Sequence, residues 1–96
     1  MPSRESEYLV CYDISHPRRL RRVARVCKDY GVRVQKSVFR CRLSAAGFRR
    51  LWQRIQREMD VREDSVIAVP LCGACVSRLR CGGRAEWDGE PIAYIY

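Results

Sequence analysis

Residues 8–31 read YLVCYDISHPRRLRRVARVCKDYG, and the hydrophobic period changes once within them. As far as Ile14 the stretch is a short apolar run of strand formers broken by one charge, Asp13, which predicts a buried strand. Ser15-His16-Pro17 follows, and proline suits the first turn of a helix, where its missing N–H would have no intrahelical partner anyway. Leu20, Val23, Ala24, Cys27 and Tyr30 then recur at helical spacing. Arg18, Arg21, Arg22, Arg25 and Lys28 fill the opposite face, and Gly31 suits a helix stop.

Working outward, residues 32–43 (VRVQKSVFRCRL) are strand-like, with Val32, Val34, Phe39, Cys41 and Leu43 alternating with polar residues. The alternation slips near Lys36-Ser37-Val38, which suggests either a bulge or two short strands meeting at a tight turn. Ser44 is a good N-cap for a second amphipathic helix marked by Phe48, Leu51, Trp52, Ile55 and Met59, with Arg49, Arg50, Arg54 and Arg57 outside. Residues 64–71 (DSVIAVPL) predict another strand, and Pro70, which lacks a backbone donor, places its end at a sheet edge or bulge. Residues 72–83 are rich in turn formers, Trp87-Asp88-Gly89 reads as a turn, and residues 92–96 (IAYIY) as a last short strand.

The order strand, helix, strand region, helix, strand is simplest to pack as two helices on one face of an antiparallel sheet. The expectation is a single α+β domain over residues 1–96, ferredoxin-like (βαββαβ), with residues 1–7 flexible. Residues 82–96 form a turn and a tail strand with no place in a four-stranded sheet, so the tail is expected to pair with a second copy in a homodimer.

The chain has 96 residues and 47 % hydrophobic content, enough for one small core and too much for a disordered chain. Its longest apolar run, residues 66–71, is far short of a bilayer span, and residues 1–7 lack the apolar segment of a signal peptide. No membrane association and a cytoplasmic location are therefore expected. Formal net charge is +8, and of the 19 basic residues only Lys28 and Lys36 are lysines. Arginine forks match phosphate oxygens bidentately, so the bias suits RNA or DNA, against the plainer alternative of solvated helix faces. The six cysteines include Cys11, Cys27 and Cys41 inside apolar patterns, where a free thiol acts as a small hydrophobe.

Asp13 carries the most chemistry. A carboxylate at the end of an apolar strand suits Mg²⁺ or another hard divalent cation, which keeps several waters and needs only one or two carboxylates. The competing roles are capping the next helix or pairing with an arginine. His16, the one histidine, is either a base near neutral pH or a loop residue at a helix entrance. Cys72-x₂-Cys75-x₅-Cys81 invites a zinc reading, but structural zinc wants four ligands and a fourth would have to come from elsewhere. Walker, dinucleotide and nucleophile-elbow glycine motifs are absent from the sequence.

Tyr12-Asp13-Ile14, the basic helix 18–31, the segment Arg33-Val34-Gln35-Lys36-Ser37-Val38-Phe39, the strand end at Leu43 and Asp64-Ser65-Val66 together resemble the CRISPR-associated protein 2 family, over residues 8–81. The resemblance implies a ferredoxin-like homodimer in which Asp13 of both copies faces the interface and shares a divalent metal. It implies a metal-dependent endonuclease on RNA or DNA, and a partnership with the integrase CRISPR-associated protein 1 in spacer acquisition. On that basis Asp13 is the catalytic and metal-holding residue. Tyr12, Ser15, Arg18, Arg21, Arg22 and Arg33 are expected to bind or orient nucleic acid, with Ser37 and Phe39 supporting from the adjoining strand. His16-Pro17 departs from the acidic or polar residues expected beside Asp13. The rival expectations are a non-catalytic DNA-binding adaptor for the integrase and a toxin-like messenger nuclease.

Overall fold

The computed structural model describes residues 4–84, 86–87 and 90–91. Four strands form one sheet: β1 (Ser6–Asp13), β2 (Gly31–Gln35), β3 (Val38–Leu43) and β4 (Ser65–Leu71), in the order β2-β3-β1-β4 with every neighbouring pair antiparallel. Helix α1 (Pro17–Lys28) links β1 to β2, and α2 (Ala45–Glu58) links β3 to β4. This is the expected ferredoxin-like arrangement. A short helix α3 (Gly73–Ser77) follows β4 within the turn-rich segment, and β5 (Glu86–Trp87) pairs with β6 (Glu90–Pro91) across residues 88–89. The expected tail strand, residues 92–96, lies outside the described residues.

Strand alternation sorts the sheet into two faces. Tyr8, Val10 and Tyr12 of β1 and Phe39 and Cys41 of β3 share the face that the helices cover, in the register Tyr8↔Cys41 and Val10↔Phe39. Val23, Val26 and Cys27 of α1 and Leu51 and Ile55 of α2 close over them. Seven of these side chains, Phe39 the largest, are fully enclosed. Tyr8 stacks on Phe48 at 4.4 Å between ring centroids, and Phe48 on Trp52 at 5.8 Å, which seats the start of α2 on β1.

Both helices start where their residues direct. The Ser44 hydroxyl accepts from the Gly47 N–H at 3.1 Å and caps α2. At α1 the cap is His16, whose Nδ1 accepts from the Arg18 N–H at 3.1 Å, while Pro17 takes the first helical position. Pro70 stands in β4, an edge strand of the four-stranded sheet, as a missing donor requires.

One open alternative is resolved and two local expectations are corrected. The slip at residues 36–38 is both of the expected alternatives at once: Lys36-Ser37 make a two-residue turn between Gln35 and Val38, and the register shifts between Arg33 and Gln35. Gly31 is not the helix stop. The helix ends at Lys28 with Asp29 as its cap, and Gly31 opens β2, where a Cβ would overlap the Arg40 carbonyl and the Cys41 sulfur of β3. β1 begins at Ser6, inside the segment expected to be flexible, because Glu7 is held: its carboxylate accepts from Arg40 at 2.7 and 2.9 Å and from Arg42 at 2.8 Å.

The second sheet face is covered by neither α1 nor α2; at one end of it Gly73, Val76 and Ser77 of α3 line a cleft with Glu7, Arg40 and Arg42. Ile67 and Val69 stay 62 % and 42 % exposed on this face, opposite Cys11 and Leu9 in the register. Residues 79–82 line a cleft with Leu9, Cys11, Val34 and Val38. No helix among the described residues is long and apolar enough to cross a membrane.

Candidate functional site

The end of β1 concentrates most of the residues singled out in the sequence. Asp13 is the last residue of the strand, exposed, and lies opposite Ser65 of β4. Neither competing role for it is realised: His16 caps α1, and among the described residues the Asp13 carboxylate takes no hydrogen bond or ion pair. It is an anchored strand end presenting an uncommitted anion.

A second carboxylate holds the loop beyond it. The Asp64 side chain has no exposed surface, and it collects five hydrogen bonds. Oδ1 accepts from the Ser15 N–H at 3.0 Å, the Ser15 hydroxyl at 3.0 Å and the Arg19 Nη2 at 3.3 Å. Oδ2 accepts from the Arg19 Nε and from the Asp60 N–H, both at 2.8 Å. The Arg19 guanidinium, aided by the Asp60 and Ser15 donors, holds the Asp64 carboxyl well below the usual carboxylate range against the opposing effect of burial. The β1–α1 loop and the α2–β4 loop are thereby tied together two residues beyond Asp13. Ser15 and Arg19 are both spent on this clamp, so Ser15 acts here as a fixing point for the loop.

On the other side of β1, the Tyr12 N–H donates to the Ser37 carbonyl at 3.0 Å, anchoring the β2–β3 turn against the strand. Tyr12 and Phe39 are both in the core, 6.2 Å apart between ring centroids, and Arg33 lies over the Phe39 ring at 5.2 Å. These two aromatics thus stand behind the surface. Burial pushes the Tyr12 phenol up, with Cys27 adding and Arg33 opposing, yet among the described residues the buried hydroxyl has no hydrogen-bond partner of ordinary geometry. In front of them Arg21, Arg33 and Lys36 line a cleft with Tyr12, Leu20 and Ser37.

The arginines of α1 do not act as one face. Arg19 turns to Asp64 and Arg21 to the cleft beside β2. Arg22 joins Arg25, Arg54 and Arg57 in a groove between the helices that also holds Glu58. Arg54 is paired there with Asp29 at 2.9 Å and lies over the Tyr30 ring at 5.4 Å. Arg18 is exposed on the first turn, and its backbone N–H donates to His16.

Metal fit is limited to what one carboxylate offers. Among the described residues no group of three or more His, Cys, Asp or Glu converges on a point. That argues against zinc at Cys72, Cys75 and Cys81, since Cys81 lies in the cleft with Leu9 and Cys11 instead. It leaves room for a largely hydrated Mg²⁺ on Asp13, whose carboxylate is free to bind it.

The chain matches the profile described as CRISPR associated protein Cas2 over residues 6–79, from the first strand through α3. The chain belongs to the Cas2 family. A Synechocystis relative named CRISPR-associated endoribonuclease Cas2 is 37 % identical over 88 residues, which is 92 % of this chain and 96 % of that protein. A Moorella thermoacetica relative of the same name is 46 % identical over 63 residues, 60 % of this chain and 66 % of its own. Among solved structures, Streptococcus pyogenes Cas2 superposes with a TM-score of 0.74 at 36 % identity, covering 80 % of this chain and 99 % of that one. The Cas2 match therefore includes the Asp13 strand end, the Asp64 clamp and the Arg21–Arg33 cleft, and it stops short of Cys81.

Asp64 and Lys36 are the residues of this region that sequence reasoning passed over. Asp64 reads in the sequence as a strand start and as part of the Asp64-Ser65-Val66 segment that carries the family resemblance, with no role assigned to its carboxylate. Lys36 reads as part of the slipped alternation and of the segment 33–39 that carries the resemblance, again with no role assigned.

Proposed function

We propose that this Cas2-family chain is a divalent-metal-dependent endonuclease that cleaves phosphodiester bonds in RNA or DNA as a homodimer, in spacer acquisition with the CRISPR integrase. The observation that carries the reading is the exposed carboxylate of Asp13 at the end of β1, unpaired among the described residues, in a family whose curated relatives bear the name endoribonuclease. Asp13, one from each copy, would hold the metal, and Mg²⁺ when bound supplies activation of water and charge stabilisation at the scissile phosphate. Arg21, Arg33 and Lys36 hold the phosphate backbone in the adjoining cleft. Asp64, through Ser15 and Arg19, keeps the loop beyond Asp13 from drifting. Support for a second copy comes from the sheet face away from α1 and α2, where Ile67 and Val69 are exposed beside Leu9 and Cys11.

The test is cleavage of labelled single-stranded RNA and double-stranded DNA by wild type and Asp13→Ala, with Mg²⁺ and with EDTA. Loss of cleavage in both Asp13→Ala and EDTA supports the reading and names the substrate. Metal-dependent cleavage that persists in Asp13→Ala overturns it.

The adaptor reading draws on a different observation, the groove between α1 and α2 lined by Arg22, Arg25, Arg54 and Arg57 with Glu58. In that reading Asp13→Ala leaves spacer integration intact, while reversing the charge at Arg22 and Arg57 abolishes it.

A further inference from the structure

The six cysteines fall into two physical classes. Cys27 and Cys41 are buried, and burial pushes their thiols up to about 12 and about 11, so both are held neutral. Burial also raises Cys11. Cys72 and Cys75 are the opposite case. Cys72 follows the last residue of β4 and stands at the start of α3, Cys75 lies one turn on, and both are exposed. Their sulfurs are 3.5 Å apart, in S–H···S contact. A disulfide requires an S–S distance of about 2.05 Å, so closure asks for a movement of about 1.5 Å. Side-chain rotation is free to supply it, because α3 has no buried residue and the space about Gly73 is open.

We propose that Cys72 and Cys75 are a redox-active dithiol that closes reversibly to an intrachain disulfide by exchange with a low-molecular-weight disulfide. The order of events follows from their surroundings. The backbone N–H of Cys75, then its thiol and the Ala74 N–H, favour the Cys72 thiolate and hold it below the usual thiol value, although no N–H makes a full capping bond to it. Cys72 is therefore the attacking sulfur. Its thiolate displaces one thiolate from the small disulfide and forms a mixed disulfide. The Cys75 thiol then loses its proton and attacks the Cys72 sulfur, expelling the second small thiolate. Two protein thiols are oxidised, one small disulfide is reduced to two thiols, and the two protons end on the expelled sulfurs. A metal-knuckle role for the pair finds no further ligands among the described residues.

The experiment uses the full chain equilibrated over a series of reduced to oxidised glutathione ratios, quenched with acid, alkylated and mapped by peptide mass spectrometry. The expected result is loss of two hydrogens, and of both alkyl groups, from the peptide carrying Cys72 and Cys75. Dithiothreitol restores both alkyl groups, and Cys27 and Cys41 react only after unfolding. In Cys75→Ser the reaction stops at the mixed disulfide, so glutathione accumulates on Cys72, whereas Cys72→Ser blocks the first step. The proposal is overturned if both thiols stay fully alkylated at the most oxidising ratio, if Cys81 replaces either member of the pair, or if wild type accumulates as much mixed disulfide as Cys75→Ser. Both serine variants change exposed side chains, and an unchanged thermal melt confirms their fold.

Discussion

Asp13 and Asp64 are the same residue type at the same end of the β1–β4 pairing, Asp13 closing β1 opposite Ser65 and Asp64 standing just before β4, and they do opposite work. One is exposed and uncommitted; the other is enclosed and fully satisfied. An enclosed carboxylate holding five donors leaves those donors stranded when it is removed, so Asp64→Ala is expected to lower the melting temperature by roughly 10 °C, a large shift for a domain of this size. Asp64 also sets an acid limit. Its carboxyl is depressed in the folded chain, so its contribution to stability is complete above the ordinary value of about 3.9 and is lost as pH falls toward the depressed one. Thermal melts between pH 7 and pH 2 check this: the acid loss should be steep in wild type and shallower in Asp64→Asn. A variant as acid-sensitive as wild type would show that other carboxylates set the limit.

At the scale of elements, the β2–β3 hairpin fixes the cleft. Its two-residue turn is tied to β1 by the Tyr12 N–H, and the register shift within β2 brings Arg33 opposite Phe39 on the helix-covered side of the sheet. The hairpin depends on close approach at its open end, where Gly31 faces Cys41. Alanine there puts a methyl group into the Arg40 carbonyl, a backbone atom that yields only if the strands part. Gly31→Ala is therefore expected to cost about 2 kcal/mol, read as a lower midpoint of urea unfolding. A variant of unchanged stability would mean the strand pair relaxes freely. The same element scale explains the arginines of α1: neighbours on a helix diverge by about 100° per residue, so Arg19, Arg21 and Arg22 reach three different surroundings.

For the whole molecule, net charge of +8 is spread over both the β2-side cleft and the interhelical groove. Binding to a polyanion is expected to weaken linearly in log salt, with a slope of about −0.7 per contacted phosphate on a single strand and about −0.9 on duplex DNA. Replacing Arg21 or Arg33 by Gln should each flatten the slope by about one such contact, whatever the sequence of the nucleic acid. Equilibrium binding at several salt concentrations reads this directly. An unchanged slope in both variants would remove the cleft from the binding surface.

The ferredoxin-like order, the cap at Ser44, the proline-led start of α1 and the edge position of Pro70 were all legible in the residues, because strand and helix periods, capping and a missing donor act within a few positions. The place of Asp13 at the end of β1 was legible for the same local reason, an acid closing an apolar strand. The partners of the arginines were not. Arg19 meets Asp64 across 45 residues, and Arg40 meets Glu7 across 33, while chemically equal neighbours meet other groups. Nothing local distinguishes one guanidinium from the next, so only the packing of distant loops decides which charges are spent on holding the fold and which remain for a ligand.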